Sequence, residues 1–156
     1  KKSIFSTSEV RSVTKEVFAK DPEHEYFERM KMFPSDALNL TNERAYDDNE
    51  TFENIRSLVI NECFDYSFFR QALGLAWVRI GEDDPNCWKH IEGGLTLLLS
   101  LMRYGPMPAV YEVGEKLNEI KALRSYQSQD EEAQSTVRQA ANEVLILYRN
   151  IEAQFH

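Results

Sequence analysis

The sequence predicts an all-α protein. Three observations carry this: apolar residues recur at helical spacing almost throughout, no stretch alternates apolar and polar residues as a strand would, and glycine and proline are sparse, at six and five of 156 residues. One domain accounts for that length, and 42% apolar with 28% charged residues is the composition of a globular chain able to bury a core.

The first helix expected is Ser8 to Ala19, with Val10, Val13, Val17 and Phe18 on one face, Ser8 as N-cap and Glu9 in the first turn. Asp21-Pro22 stops it. A short helix over Glu25 to Met32 carries Tyr26, Phe27 and Met30 and ends before Pro34. Residues 34–50 are rich in Asn, Asp, Thr and Ser and read as a long surface loop with room for one turn of helix. Thr51 then caps a helix bearing Phe52, Ile55, Leu58, Val59 and Ile60. Tyr66 to Ile80 is the next helix, Gly81 to Asn86 a turn containing Pro85, and Trp88 to Tyr104 a helix apolar on most sides. Such a helix belongs at the centre of a fold. Gly105-Pro106 ends it. Pro108 to Tyr126 reads as one helix, residues 127–133 as a polar loop, and Ser135 to Ala153 as the closing helix. Short connections make successive helices antiparallel neighbours. Their number and the buried central helix favour a superhelix of stacked hairpins over a four-helix bundle.

The net charge is −8, unevenly spread. Residues 1–20 hold five bases against two acids, whereas residues 21–50 hold nine acids against three bases. The average argues against nucleic acid as a partner. A local basic patch can still hold an anion, because screening confines distant charges to about 8 Å at physiological salt. Nothing in the chain approaches the ~18 apolar residues of a membrane span. The N-terminus has no apolar run followed by a small-residue cleavage site, and it starts at Lys1 rather than Met, as a segment of a longer chain would.

Chemistry-bearing motifs are few. Cys63 and Cys87 read as reduced, packed thiols. Cys87 and His90 have C-x-x-H spacing, but no second ligand pair follows, so no metal site is expected. Glu82-Asp83-Asp84 could attract a divalent cation, but an acid run in a turn is ordinarily solvated. His90 lacks a nucleophile or an orienting third group, and there is no Gly-rich phosphate loop. The sequence therefore predicts neither an enzyme nor a cofactor.

Several stretches, taken in order, resemble the epsin N-terminal homology (ENTH) domain, from Asn54 to Asn150 and again near the N-terminus. "FFRQALGLAWVRI" resembles the family helix ending in Trp-Lys-Arg-Leu. "NCWKHIEGGLTLLLSLMRYG" resembles the Asn-Trp-Arg-His-Val signature and the core helix after it. "LNEIKALRSYQ" and "STVRQAANEVLILY" resemble later family helices, and "SEVRSVTKEVFAKDP" the first full helix. The resemblance implies a right-handed superhelix of about seven to eight stacked helices (ENTH/VHS-like), forming a single domain over residues 1–156 with an insertion at about 23–50. A lipid-inserting helix before it and a disordered tail after it would lie outside this chain.

It also implies a monomeric, cytosolic, phosphoinositide-binding adaptor of clathrin-coated vesicle traffic. Such a protein sits peripherally on Golgi, endosomal or plasma membrane and partners with clathrin, adaptor or SNARE proteins. The family's head-group pocket, carried over position by position, falls on Lys1, Lys15, Lys20, Arg79, Lys89 and His90. A compact polyanion requires converging cationic donors of this kind. The chain departs from the family at Glu23, where a Trp is usual, in a longer and more acidic turn before Trp88, and at Gly93, where the family carries a Lys. The rival expectation is a superhelix that binds a SNARE, cargo or adaptor protein without lipid, which the acidic net charge favours.

Overall fold

The computed structural model describes residues 22–41 and 49–155, and the helix expected over Ser8–Ala19 lies outside them. By contact the chain divides between Pro34 and Ser35, into residues 1–34 and 35–156. Seven α-helices and one 3-10 turn make up the described residues, with no strand among them.

Helix α1 (Pro22–Leu40) corrects the sequence expectation. It neither stops before Pro34 nor gives way to a loop at that point. Pro22 stands at its first position, where the missing N–H costs nothing, and Glu23 and Glu25 complement the N-terminal dipole. The helix runs through Pro34, which is exposed, while Phe33, Ala37 and Thr41 are buried at intervals of four residues. That buried stripe continues past the proline and outweighs the one backbone hydrogen bond lost there. Thr41 closes the end: its N–H and Oγ1 both donate to the Ala37 carbonyl, at 3.2 and 2.9 Å.

Helix α2 (Asn49–Glu62) buries Ile55, Leu58 and Val59. Thr51 lies inside its first turn, buried, and is not the cap expected. Helix α3 (Tyr66–Ile80) has the expected limits. Asp65 caps it, with Oδ1 accepting from the N–H groups of Ser67 (2.9 Å) and Phe68 (3.3 Å). Its buried face is Phe68, Phe69, Ala72, Leu73, Ala76 and Ile80. A 3-10 turn, Pro85–Cys87, leads into helix α4 (Trp88–Tyr104), also with the expected limits.

Helix α4 is the axis of the 35–156 unit and packs against α2, α3 and the two later helices α5 (Pro108–Glu115) and α7 (Glu131–Gln154). Every residue from Ile91 to Leu98 is buried. Each fully buried Leu in that run contributes about 1.5–3 kcal/mol relative to exposure. The α3–α4 crossing is close because Gly94 has no side chain. A Cβ there would stand 2.7 Å from the Ala76 carbonyl oxygen and 2.8 Å from the Arg79 Cβ.

The single helix expected over Pro108–Tyr126 is two, α5 and α6 (Leu117–Leu123), separated at Lys116. The Lys116 N–H is shared between the carbonyls of Glu112 (3.0 Å) and Val113 (3.2 Å), which tightens the turn and breaks the ladder. Gly114 brings α5 against α7, since a Cβ there would lie 2.6 Å from the Tyr148 hydroxyl. Helix α7 starts four residues before the expected Ser135. Asp130 caps it through Oδ1, which accepts from the N–H groups of Glu132 and Ala133 at 3.0 and 3.3 Å. Ala133, Val137, Ala141, Val144 and Leu145 form its buried stripe. No helix among the described residues is long and apolar enough to cross a membrane.

Candidate anion site at the head of the central helix

Of the six cations singled out in the sequence, Lys1, Lys15 and Lys20 lie outside the described residues. The other three lie at the end of α3 and the start of α4. Arg79 sits in the last turn of α3. Its Cβ packs against α4 at Gly94, one turn beyond His90 on the same helix face. Lys89 is the neighbour of His90 in the first turn of α4.

Each of the three is held differently. Arg79 donates through Nε to the Thr41 hydroxyl at 3.3 Å and through Nη2 to the Leu38 carbonyl at 3.2 Å. Both acceptors are neutral and belong to the end of α1, where unsatisfied carbonyls carry partial negative charge. The guanidinium therefore fastens α1 to α3 while keeping its full charge. Lys89 places its ammonium 5.6 Å from the centre of the Trp88 ring, a half-buried cation–π contact worth about 1 kcal/mol. It makes no ion pair among the described residues.

His90 is tied to a carboxylate. Its Nδ1 lies 3.1 Å from Glu82 Oε1, with the two side chains 19% and 27% exposed. The hydrogen bond from His90 holds the Glu82 carboxyl below the usual carboxylate range. Burial opposes the shift, and the N–H groups of Asp84 and Asp83 reinforce it. Glu82 thus sets a negative charge directly against the His90 ring. Gly93 is buried, and the cation that the family carries there has no replacement at that position.

Three of these partners escaped the sequence reading. Thr41 and Leu38 fall in a stretch taken for loop, so nothing suggested that Arg79 had acceptors there. Glu82 stands eight residues before His90, across a turn whose geometry periodicity does not reveal. Elsewhere, burial pushes the Cys63 thiol up to about 12, with the Glu62 charge adding to the rise, as suits an inert packed cysteine. Trp77 keeps its indole Nε1 buried without an acceptor among the described residues. The Lys116 ammonium lies 4.7 Å from that ring's centre.

The family model of the ENTH domain matches residues 40–153. This chain belongs to the ENTH domain family. Epsin-3 of rat and of human are each 27% identical to it over 103 residues, 62% of this chain, but only 17% and 16% of their own length. The chain thus spans about a sixth of the curated relatives it matches. Among solved structures, the yeast Ent1 ENTH domain superposes with a TM-score of 0.65 at 22% identity, covering 78% of this chain and 88% of that one. The ENTH domain from epsin-2, in complex with phosphatidylinositol 4,5-bisphosphate, gives 0.63 at 21% identity, over 78% of this chain and 84% of the other. The endocytic adaptor complex AENTH gives 0.64 at 22%, over 95% and 93%. These likenesses establish the all-α superhelical fold that the sequence resemblance implied.

Proposed function

We propose that this ENTH domain recruits its parent protein to phosphoinositide-bearing membrane, as part of an epsin-like adaptor in clathrin-coated vesicle traffic. The head group is taken by Lys1, Lys15 and Lys20 from the N-terminal segment together with Arg79, Lys89 and His90. The observation that carries the proposal is the state of Arg79 and Lys89. Both sit at the junction of α3 and α4 with no carboxylate partner among the described residues. The start of α4 adds backbone N–H groups suited to an anion. The solved epsin-2 ENTH domain with phosphatidylinositol 4,5-bisphosphate supports a ligand of this class.

Co-sedimentation with liposomes tests it. Vesicles containing phosphoinositide should retain the protein, vesicles of neutral lipid should not, and added salt should weaken the retention. The double variant Lys15→Glu/Arg79→Glu should lose binding by about tenfold or more, or ~1.4 kcal/mol. Equal binding to both kinds of vesicle, or to neither, removes the lipid role.

A second reading is a protein-binding superhelix engaging a SNARE, cargo or adaptor chain. A groove of about 350 Å³ between α2, α4 and α7 favours it. Its floor is Phe52, Leu95 and Leu99, and Glu92 and Glu143 stand along it, the pattern that receives a basic amphipathic segment. Retention of such a partner by the Glu143→Lys variant would remove this reading.

A further inference from the structure

We infer that the turn leading into α4 is a binding site for a borderline-soft divalent cation of the zinc class, held by Glu82, Cys87 and His90. The sequence offered only the Cys87/His90 pair and no further ligand. The fold supplies one from five residues upstream of the cysteine. A carboxylate oxygen of Glu82, Sγ of Cys87 and a ring nitrogen of His90 all lie within 4.8 Å of one another. The closest pair, Glu82 Oε1 and His90 Nδ1, is already 3.1 Å apart. A fourth donor stands beside them: Oδ2 of Asp84 is 3.7 Å from Cys87 Sγ.

The donor types select the metal. Calcium and magnesium take sets of six or more oxygen ligands. A thiolate, an imidazole and a carboxylate suit zinc, cobalt or ferrous iron in four-fold coordination. Zinc bonds of about 2.0–2.3 Å place tetrahedral ligands roughly 3.3–3.8 Å apart, so from separations of at most 4.8 Å the trio closes by no more than about 1.5 Å on binding. Rotamer changes in three half-buried side chains are enough for that.

The turn is built to hold these donors in place. Cys87 and His90 are three residues apart, at the junction of the 3-10 turn and α4, and so face the same side. Oε2 of Glu82 accepts the Asp83 N–H at 3.2 Å, which leaves Oε1 directed at His90. Oδ1 of Asp84 accepts the Asn86 N–H at 2.9 Å, which turns Oδ2 toward the sulfur. Backbone groups that orient ligating carboxylates in this way are usual behind metal ligands. On binding, the cation displaces the proton between His90 Nδ1 and Glu82 Oε1, leaving the neutral ring protonated at Nε2, and the displaced proton and that of the Cys87 thiol pass to solvent. The site is independent of the lipid proposal, although both use His90, because it is assayed without membrane.

Cobalt(II) titration of the tag-free protein tests the inference. One equivalent should produce a thiolate-to-cobalt charge-transfer absorption with tetrahedral visible bands, and one equivalent of zinc should bleach them. Cys87→Ser should lose the charge-transfer absorption, and Cys63→Ala should keep it. His90→Gln should weaken cobalt binding by about tenfold or more. Zinc should also raise the melting temperature of the native chain and leave that of a Glu82→Gln/Cys87→Ser variant unchanged. No absorption at stoichiometric cobalt, its survival in Cys87→Ser, or an equal zinc shift in the double variant would overturn the site.

Discussion

The end of α3 and the start of α4 present basic side chains under opposite conditions. Arg79 is held by a hydroxyl and a carbonyl, so its position is fixed and its charge is left intact. His90 is held by a carboxylate, so the interaction that fixes its position also sets a negative charge beside it. Counting basic residues treats the two alike. The acceptor sets the charge that surrounds an ordered basic side chain. A neutral acceptor orients and leaves the field, whereas an acidic one orients and cancels it.

The junction can be broken first at the contact that creates it. Gly94→Ala places a methyl group against the Ala76 carbonyl and the Arg79 Cβ, and backbone cannot step aside as a flexible side chain can. Helix propensity favours the alanine by up to about 1 kcal/mol. Overpacking costs typically about 1–3 kcal/mol, so a lower urea midpoint is expected. An unchanged midpoint would mean that the crossing is looser than described.

Arg79 can then be examined alone. Arg79→Lys keeps the charge and loses the two-pronged donation, and should destabilise the fold by about 1 kcal/mol while phosphoinositide vesicles are still bound. Arg79→Gln should show a similar loss of stability together with lost vesicle binding. If the two variants bind vesicles equally, the charge of Arg79 has no part in recognition.

The smallest effect is on the acidic side. Glu82→Gln frees His90 from its carboxylate and should raise vesicle affinity by about two- to fivefold, the scale of a surface ion pair. The same change bears on pH. The Glu82 carboxyl titrates below its ordinary range in the folded chain. Its contribution to stability is therefore present above the ordinary carboxylate range and disappears as pH falls through the folded-state value. Acid unfolding of Glu82→Gln should lack that component. Superimposable acid limbs for the two proteins would show that the pair adds nothing to folding.

Much of the fold could be read from periodicity. The limits of α3 and α4 follow from Asp65, Gly81, Pro85 and Gly105, because caps and breakers there coincide with the ends of apolar stripes. Pro34 misled because a breaker was judged without its surroundings. It faces outward on α1 while Phe33, Ala37 and Thr41 keep the buried stripe in phase. The break at Lys116 was invisible for the opposite reason: Val110, Val113, Leu117 and Ile120 keep helical spacing across it. At the site, the residue types of Arg79, Lys89 and His90 could be read from the sequence, but their partners could not. Glu82, Thr41 and Leu38 reach them across turns and helix crossings, which depend on three-dimensional packing rather than on local order.

The cation over Trp88 has a practical consequence. Trp88 also lines a groove with Pro85, Asn86 and the 127–130 loop, whereas Trp77 is set apart beneath Lys116 near α6. The two indoles therefore make the domain a self-labelled sensor. A ligand that draws the Lys89 ammonium off its ring should alter the emission of Trp88, so occupancy can be followed by intrinsic fluorescence without attaching a dye.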